Sequence, residues 1–140
     1  LAVCAASALE KELTDQMVQS ARNIQRDASD VRLSLKSKKT GAQDVQAKLE
    51  AMSADLAKLQ ELVMQFDSTR TALSDRDRAD WLKIKEKVQL LEIFHGQKQK
   101  LVAEDFARNR TLIQAHAKGV AFRAKSLEET AAKLQREALP

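Results

Sequence analysis

The stretch 45–66, VQAKLEAMSADLAKLQELVMQF, sets Val45, Leu49, Met52, Leu56, Leu59, Val63 and Phe66 at alternating intervals of four and three residues. That spacing averages three and a half residues, which keeps one apolar stripe turned toward a neighbour along the whole length of a helix. The stretch therefore predicts a helix packed lengthwise against other helices. Between the stripe residues stand Gln46, Lys48, Glu50, Lys58 and Gln60, an ordinary solvated outer face.

The same rhythm extends in both directions. Before it, Leu9, Leu13, Met17, Ala21, Ile24, Ala28, Val31 and Leu35 form a stripe, and after it Trp81, Ile84, Val88 and Leu91 form another, widened by Leu90 and Phe94. Val102, Phe106, Ile113, Val120, Leu127, Ala131 and Leu134 continue in register. Only 3 Gly and 1 Pro interrupt the 140 residues, and 4% aromatic content leaves little from which to build a sheet. The expected fold is all-α: a single antiparallel helical bundle over residues 9–140 with coiled-coil-like heptad packing.

Helix boundaries follow from charge and turn residues. Glu10, Glu12 and Asp15 near the start and Lys36, Lys38 and Lys39 near the end match the helix dipole and bound a first helix at about 9–38. Gly41 is then expected as its C-terminal cap. A second helix is expected over 42–67, followed by a turn between Asp67 and Ser74, where Ser74 and Asp77 have the spacing of a capping box. A third is expected over 75–95. A turn between Gly96 and Glu104 then leads to a fourth over 104–138, so four helices are preferred. The alternative is three helices, the third about 60 residues and roughly 90 Å long. Such a rod would outrun its partners and leave half its stripe in water.

The opening run Leu1-Ala2-Val3-Cys4-Ala5-Ala6-Ser7-Ala8 is apolar and small, and charged residues follow it at once. Ala6-Ser7-Ala8 fits the small-x-small pattern read by signal peptidase, so residues 1–8 are expected to be the remnant of an export signal. Acylation of Cys4 is disfavoured because Val3 is not small. The other reading makes this run the first turns of helix one. Export points to a periplasmic or otherwise extracytoplasmic location, and a helical run points to the cytoplasm. No stretch reaches the roughly 20 apolar residues needed to span a bilayer.

The net charge is +4, from 24 Lys and Arg against 20 Asp and Glu, with acids among the bases nearly everywhere. Nucleic acid is disfavoured as a partner on that ground, since such binders cluster their cations on one face. Catalysis is not expected. There is no HExxH, no Gly-rich phosphate loop and no nucleophile set beside a base. His95 and His116, 21 residues apart, have no ligand set around them, so neither a metal nor another cofactor is expected.

His95, Lys98, Asn109 and His116 fall on or beside the stripe, which weakens after Leu91. Polar residues at such positions fix register or mark a place where the seam meets solvent. With Phe94 and Phe106 they form the expected partner surface. Leu13-Thr14-Asp15-Gln16 resembles the LTxxQ motif of small exported helical stress proteins of the Spy and CpxP type, with Met17 where that motif has Gln. That resemblance implies an exported, chaperone-like helical protein. Three functions are thus expected. The first is an exported bundle acting by protein–protein contact, with another protein or a second copy, in the bacterial cell envelope. The second is a periplasmic chaperone-like or stress-sensor bundle with an exposed apolar face near Phe94 to Phe106, and the third an intracellular coiled-coil subunit of a larger assembly.

Overall fold

A computed structural model describes the backbone of residues 2–69 and 75–138 and the side chains of residues 9–68 and 77–134. These residues form α1 (Ala2–Ser34), α2 (Ala42–Thr69) and α3 (Asp75–Ala138), packed against one another, with no strand among them. The expected Asp67–Ser74 turn and the Ser74–Asp77 capping pair rest on residues 70–74, outside the described residues.

α1 includes the backbone of residues 2–8, ahead of the expected start at residue 9, and stops at Ser34, short of Lys38. The early stop has a physical cause in the carbonyl groups that follow. Lys36 and Ser37 donate three residues back to Leu33 and Ser34, and the Thr40 hydroxyl donates to the Ser34 carbonyl at 2.6 Å. Arg110, from α3, donates to the carbonyls of Leu35, Ser37 and Thr40. One guanidinium thus satisfies groups that a longer helix would have used itself.

Gly41 is not the C-terminal cap of α1, because it has no positive φ. It caps the start of α2 instead. Its carbonyl accepts from Val45 N–H, and its own N–H donates to Asp44 Oδ2 at 3.1 Å. An acidic side chain three residues into the helix is reaching back to the cap, which is half of a capping box.

Three helices form where four are expected, and the third is not a rod. α3 runs through Gly96 without a turn, consistent with a cost of only about 1 kcal/mol for an isolated helical glycine. It is broken instead at Asp105 (φ −161°, ψ 89°), one residue past the expected window. In a straight helix residues 87 and 126 would stand about 58 Å apart. Yet Lys87 Nζ donates to Ser126 Oγ at 2.7 Å and to Thr130 Oγ1 at 2.9 Å. Lys133 Nζ lies 3.7 Å from Asp80, and the rings of Phe94 and His116 are 6.4 Å apart. The chain therefore reverses at Asp105, and two arms, 75–104 and 106–138, lie side by side.

The break is chemically specified. Asp105 Oδ1 accepts from Arg108 N–H at 3.1 Å, the geometry of an N-cap, and Asn109 Nδ2 donates to the Leu101 carbonyl at 3.0 Å. One side chain caps the second arm and the other takes up a carbonyl from the end of the first.

Nearly all the stripe residues are buried. The exceptions are Leu9 and Leu90, which are exposed, and Val63, Phe94 and Phe106, which are half-buried. Leu62 is fully buried beside Val63, because a helix flanked by several neighbours buries a wider arc than a two-helix seam. The apolar core is in two parts. The larger joins residues of α1, α2 and both arms of α3 around Met17, Leu59, Trp81 and Leu127, with the rings of Phe66 and Trp81 4.3 Å apart. The smaller gathers Val31, Leu35, Val45, Leu49, Val102, Ile113 and Ala117 near the reversal.

Two substitutions test this geometry by thermal unfolding. Asp105→Ala removes the cap and is expected to cost about 1 kcal/mol. Gly96→Ala meets nothing within 4 Å of its new methyl group and is expected to stabilise the helix by about 0.5–1 kcal/mol. Destabilisation by Gly96→Ala would show that the chain turns there.

Candidate functional site

Between the two apolar clusters the bundle carries a polar layer. α1 contributes Asp27, α2 contributes Met52, Ser53 and Asp55, and the first arm of α3 contributes His95, Lys98 and Gln99. Helical spacing accounts for the grouping. Ser53 and Asp55 flank the buried stripe residues Met52 and Leu56, and Asp27 precedes Ala28 on the α1 stripe. His95 and Lys98 occupy stripe positions themselves, between Leu91 and Val102. Each of these polar groups is carried inward by the apolar residues beside it.

Lys98 is 0% exposed. Its ammonium lies 3.2 Å from Met52 Sδ, a poor substitute for water. Burial pulls its pKa down to about 8, although the nearby Asp27 carboxylate pulls the other way. Asp27, 6% exposed, is pushed up to about 7, first by burial and then by sharing a hydrogen bond with the Asp55 carboxyl. Two carboxyl groups bond in this way only when one holds a proton. The other oxygen of Asp27, Oδ2, is buried and has no partner.

Gln99 donates to Ser53 Oγ at 3.1 Å, and Ser53 Oγ and His95 Nε2 share a hydrogen bond at 2.6 Å. Burial and the neighbouring Lys98 charge lower the His95 pKa to about 4, so the ring is neutral at physiological pH. Its Nδ1 is buried without a partner. Asp27 also lines a groove of about 420 Å³ between α1 and α2, with Asp30, Asp44 and Lys48 on its walls. Asp27 thus borders an open groove, while Ser53, Asp55 and Gln99 are half-buried. Chemically the layer can hold and exchange protons. Lys98 and His95 are closed to any solute, and no group of three or more His, Cys, Asp or Glu among the described residues is placed to hold a metal ion.

The six residues expected as a partner surface separate into different settings. His95 and Lys98 are core residues, a correction that follows from their stripe positions. Phe94 is half-buried beneath Arg123, whose guanidinium sits 3.9 Å from the ring centroid, and His116 adjoins it. Phe106 is half-buried under Arg110, and Asn109 is engaged with the Leu101 carbonyl. The structure therefore joins Phe94 to His116 and brings His95 and Lys98 into one layer, but it does not bring the six together. Sequence reading missed Asp27 and Asp55, because a carboxylate beside a stripe looks the same whether it faces water or another carboxylate.

The layer generates a specific pH dependence. Between pH 4 and 6.5 the folded chain holds a proton on Asp27 that the unfolded chain has lost, while His95 does the reverse, so the two effects oppose each other. Up to about pH 7 the Asp27 effect alone remains, and stability falls as pH rises. From pH 8 to 10.5 the unfolded chain holds a proton that Lys98 has released, so stability rises. Urea unfolding is expected to show a minimum between pH 7 and 8. Lys98→Met is expected to abolish the alkaline rise and, at pH 6, to stabilise the fold by roughly 1–3 kcal/mol. A destabilised Lys98→Met chain at pH 6 would mean that the buried ammonium is better solvated than its surroundings indicate.

No family model, curated protein or solved structure matches this chain.

Proposed function

We propose that this chain is a non-enzymatic helical bundle that acts by protein–protein contact in an extracytoplasmic compartment of a bacterial cell. The observation that carries the proposal is the setting of Met64, which is 70% exposed on the outer side of α2. On one side of it lies a groove shared with α1 and lined by Leu9, Leu13, Glu61, Gln65 and Ser68. On the other lies a groove shared with α3 and lined in part by Val63, Val88, Lys85 and Glu92. A flexible thioether on a ridge between two partly apolar grooves suits the docking of another helix, because methionine adapts to the shape it meets. The burial of His95 and Lys98 supports a role without catalysis, since both are closed to solutes. Export is supported by Ala6-Ser7-Ala8.

In this reading the arms of α3 serve as the third and fourth members of an antiparallel bundle with heptad spacing. Asp27 beside Lys98, and Arg22 beside Glu128, support that arrangement. Among the described residues no helix is long and apolar enough to cross a membrane. A chaperone-like or stress-sensor bundle is the second reading. The exposed Leu82, Ile93 and Phe122 favour it, whereas the arginines over Phe94 and Phe106 move any client surface away from those rings.

A photo-crosslinking residue at Met64, in cells carrying the full gene, tests the first reading. The expected result is an adduct of one defined mass in the envelope fraction, absent when the probe stands at exposed Lys58. A mass of twice the chain identifies a second copy as the partner. A cytosolic product, or no Met64 adduct, overturns the reading.

A further inference from the structure

The charges of this chain are evenly mixed only when counted over its whole length. Residues 31–43 contain Arg32, Lys36, Lys38 and Lys39 and no acid, and residues 106–127 contain Arg108, Arg110, Lys118, Arg123 and Lys125 and no acid. The two stretches hold nine of the 24 cations and leave 15 cations against 20 acids elsewhere. They are far apart in sequence, but the reversal at Asp105 brings them together, with Arg110 bonded to the carbonyls of Leu35, Ser37 and Thr40. The result is a basic region about 30 Å long, from which Arg123 turns away to cover Phe94, on a remainder with a net negative charge.

Along this face runs a groove of about 310 Å³ between α1 and the second arm of α3, lined by Arg32, Lys36, Thr111, Gln114, Ala115 and Lys118. No carboxylate lines it, and its three cations form no ion pair among the described residues. The nearest carboxylates along its two helices are Asp30 on α1 and Glu104, Asp105, Glu128 and Glu129 on α3, with Asp30 lining the separate α1–α2 groove and Glu128 paired to Arg22. The two helices that form the groove also carry large exposed apolar side chains. Leu33, 60% exposed, follows buried Ile24 by nine residues, two and a half turns, and so stands on the opposite side of α1. Phe122, 74% exposed, follows buried Ile113 by the same interval and lies between Lys118 and Lys125.

We propose that this face docks on an anionic lipid surface, with the groove cations at the level of the phosphates and Leu33 and Phe122 entering the boundary between headgroups and acyl chains. Free cations with apolar side chains at their edges are the combination that holds a protein at a membrane interface. A single-stranded nucleic acid would need a succession of aromatic platforms. Phe122 is the one freely exposed aromatic of the face, and Leu33 cannot stack on a base. The net negative remainder turns the molecule so that this face leads toward an anionic surface. The proposal goes beyond the Met64 contact and does not depend on it, because Met64 belongs to α2.

Co-sedimentation of the 140-residue chain with vesicles of phosphatidylcholine and phosphatidylglycerol, and with vesicles of phosphatidylcholine alone, tests the proposal. Binding is expected only to the vesicles containing phosphatidylglycerol, and it should weaken as salt is raised. The combined substitutions Arg32→Gln, Lys36→Gln and Lys118→Gln should lower partitioning about a hundredfold. Phe122→Ser should lower it about tenfold. Lys58→Gln with Lys83→Gln, which remove two cations elsewhere, should leave it unchanged. Circular dichroism establishes that each variant keeps its helix content. Equal binding to both vesicles, no binding to either, or full binding by the triple variant overturns the proposal. So does tighter binding to a single-stranded oligonucleotide than to vesicles.

Discussion

The reversal at Asp105 is the constraint on which the rest of the structure depends. A straight α3 would leave Ile113, Val120, Leu127 and Leu134 without a core to enter, and all are buried in the folded chain. Burying four side chains of this size contributes roughly 6–12 kcal/mol, an upper estimate relative to an extended chain. Breaking a helix leaves a few backbone groups unpaired, at a net value near 1 kcal/mol each. Asp105 and Asn109 recover some of these at the break. Burial therefore outweighs helical continuity by several kcal/mol.

The same reversal creates the cationic groove on which a membrane contact is proposed. It lays a basic, acid-free segment against the basic end of α1, where Arg110 bonds carbonyls 70 to 75 residues earlier in the chain. Apart from it stands the layer formed by Asp27, Asp55, His95 and Lys98, from α1, α2 and the first arm of α3. That layer stores an unfavourable arrangement. A buried ammonium, a carboxyl pair sharing a proton and an imidazole without a second partner all oppose folding relative to apolar residues of similar size. The apolar clusters on either side hold it in place. Such a layer gives the bundle a fixed register, because sliding one helix by a turn would set Lys98 against aliphatic side chains with no carboxylate near.

Surface and interior therefore play different parts. The interior fixes which residues face outward, and the outer faces carry two unlike regions: a ridge at Met64 between partly apolar grooves on α2, and a cationic groove between α1 and the second arm of α3. A protein contact and a membrane-surface contact on separate faces are compatible within one small bundle. Together the two proposed contacts would make the bundle a tether.

Much of the helical content was legible in the residues alone. Buried side chains recur every three or four positions in each stripe, and the physics of a 3.6-residue helix allows few other placements for them. The position of Lys98 on a stripe was equally legible, although whether that stripe met water or a core was not. Tertiary structure decided the rest, because the deciding terms act between residues distant in sequence. Arg110 ends α1 before Lys38, Asp55 of α2 hydrogen-bonds Asp27 of α1, and Gly41 serves α2 because Asp44 reaches back to it. Periodicity reports which side of a helix is apolar. It carries no information about which other helix that side will meet, and for this chain that pairing places every charge that matters.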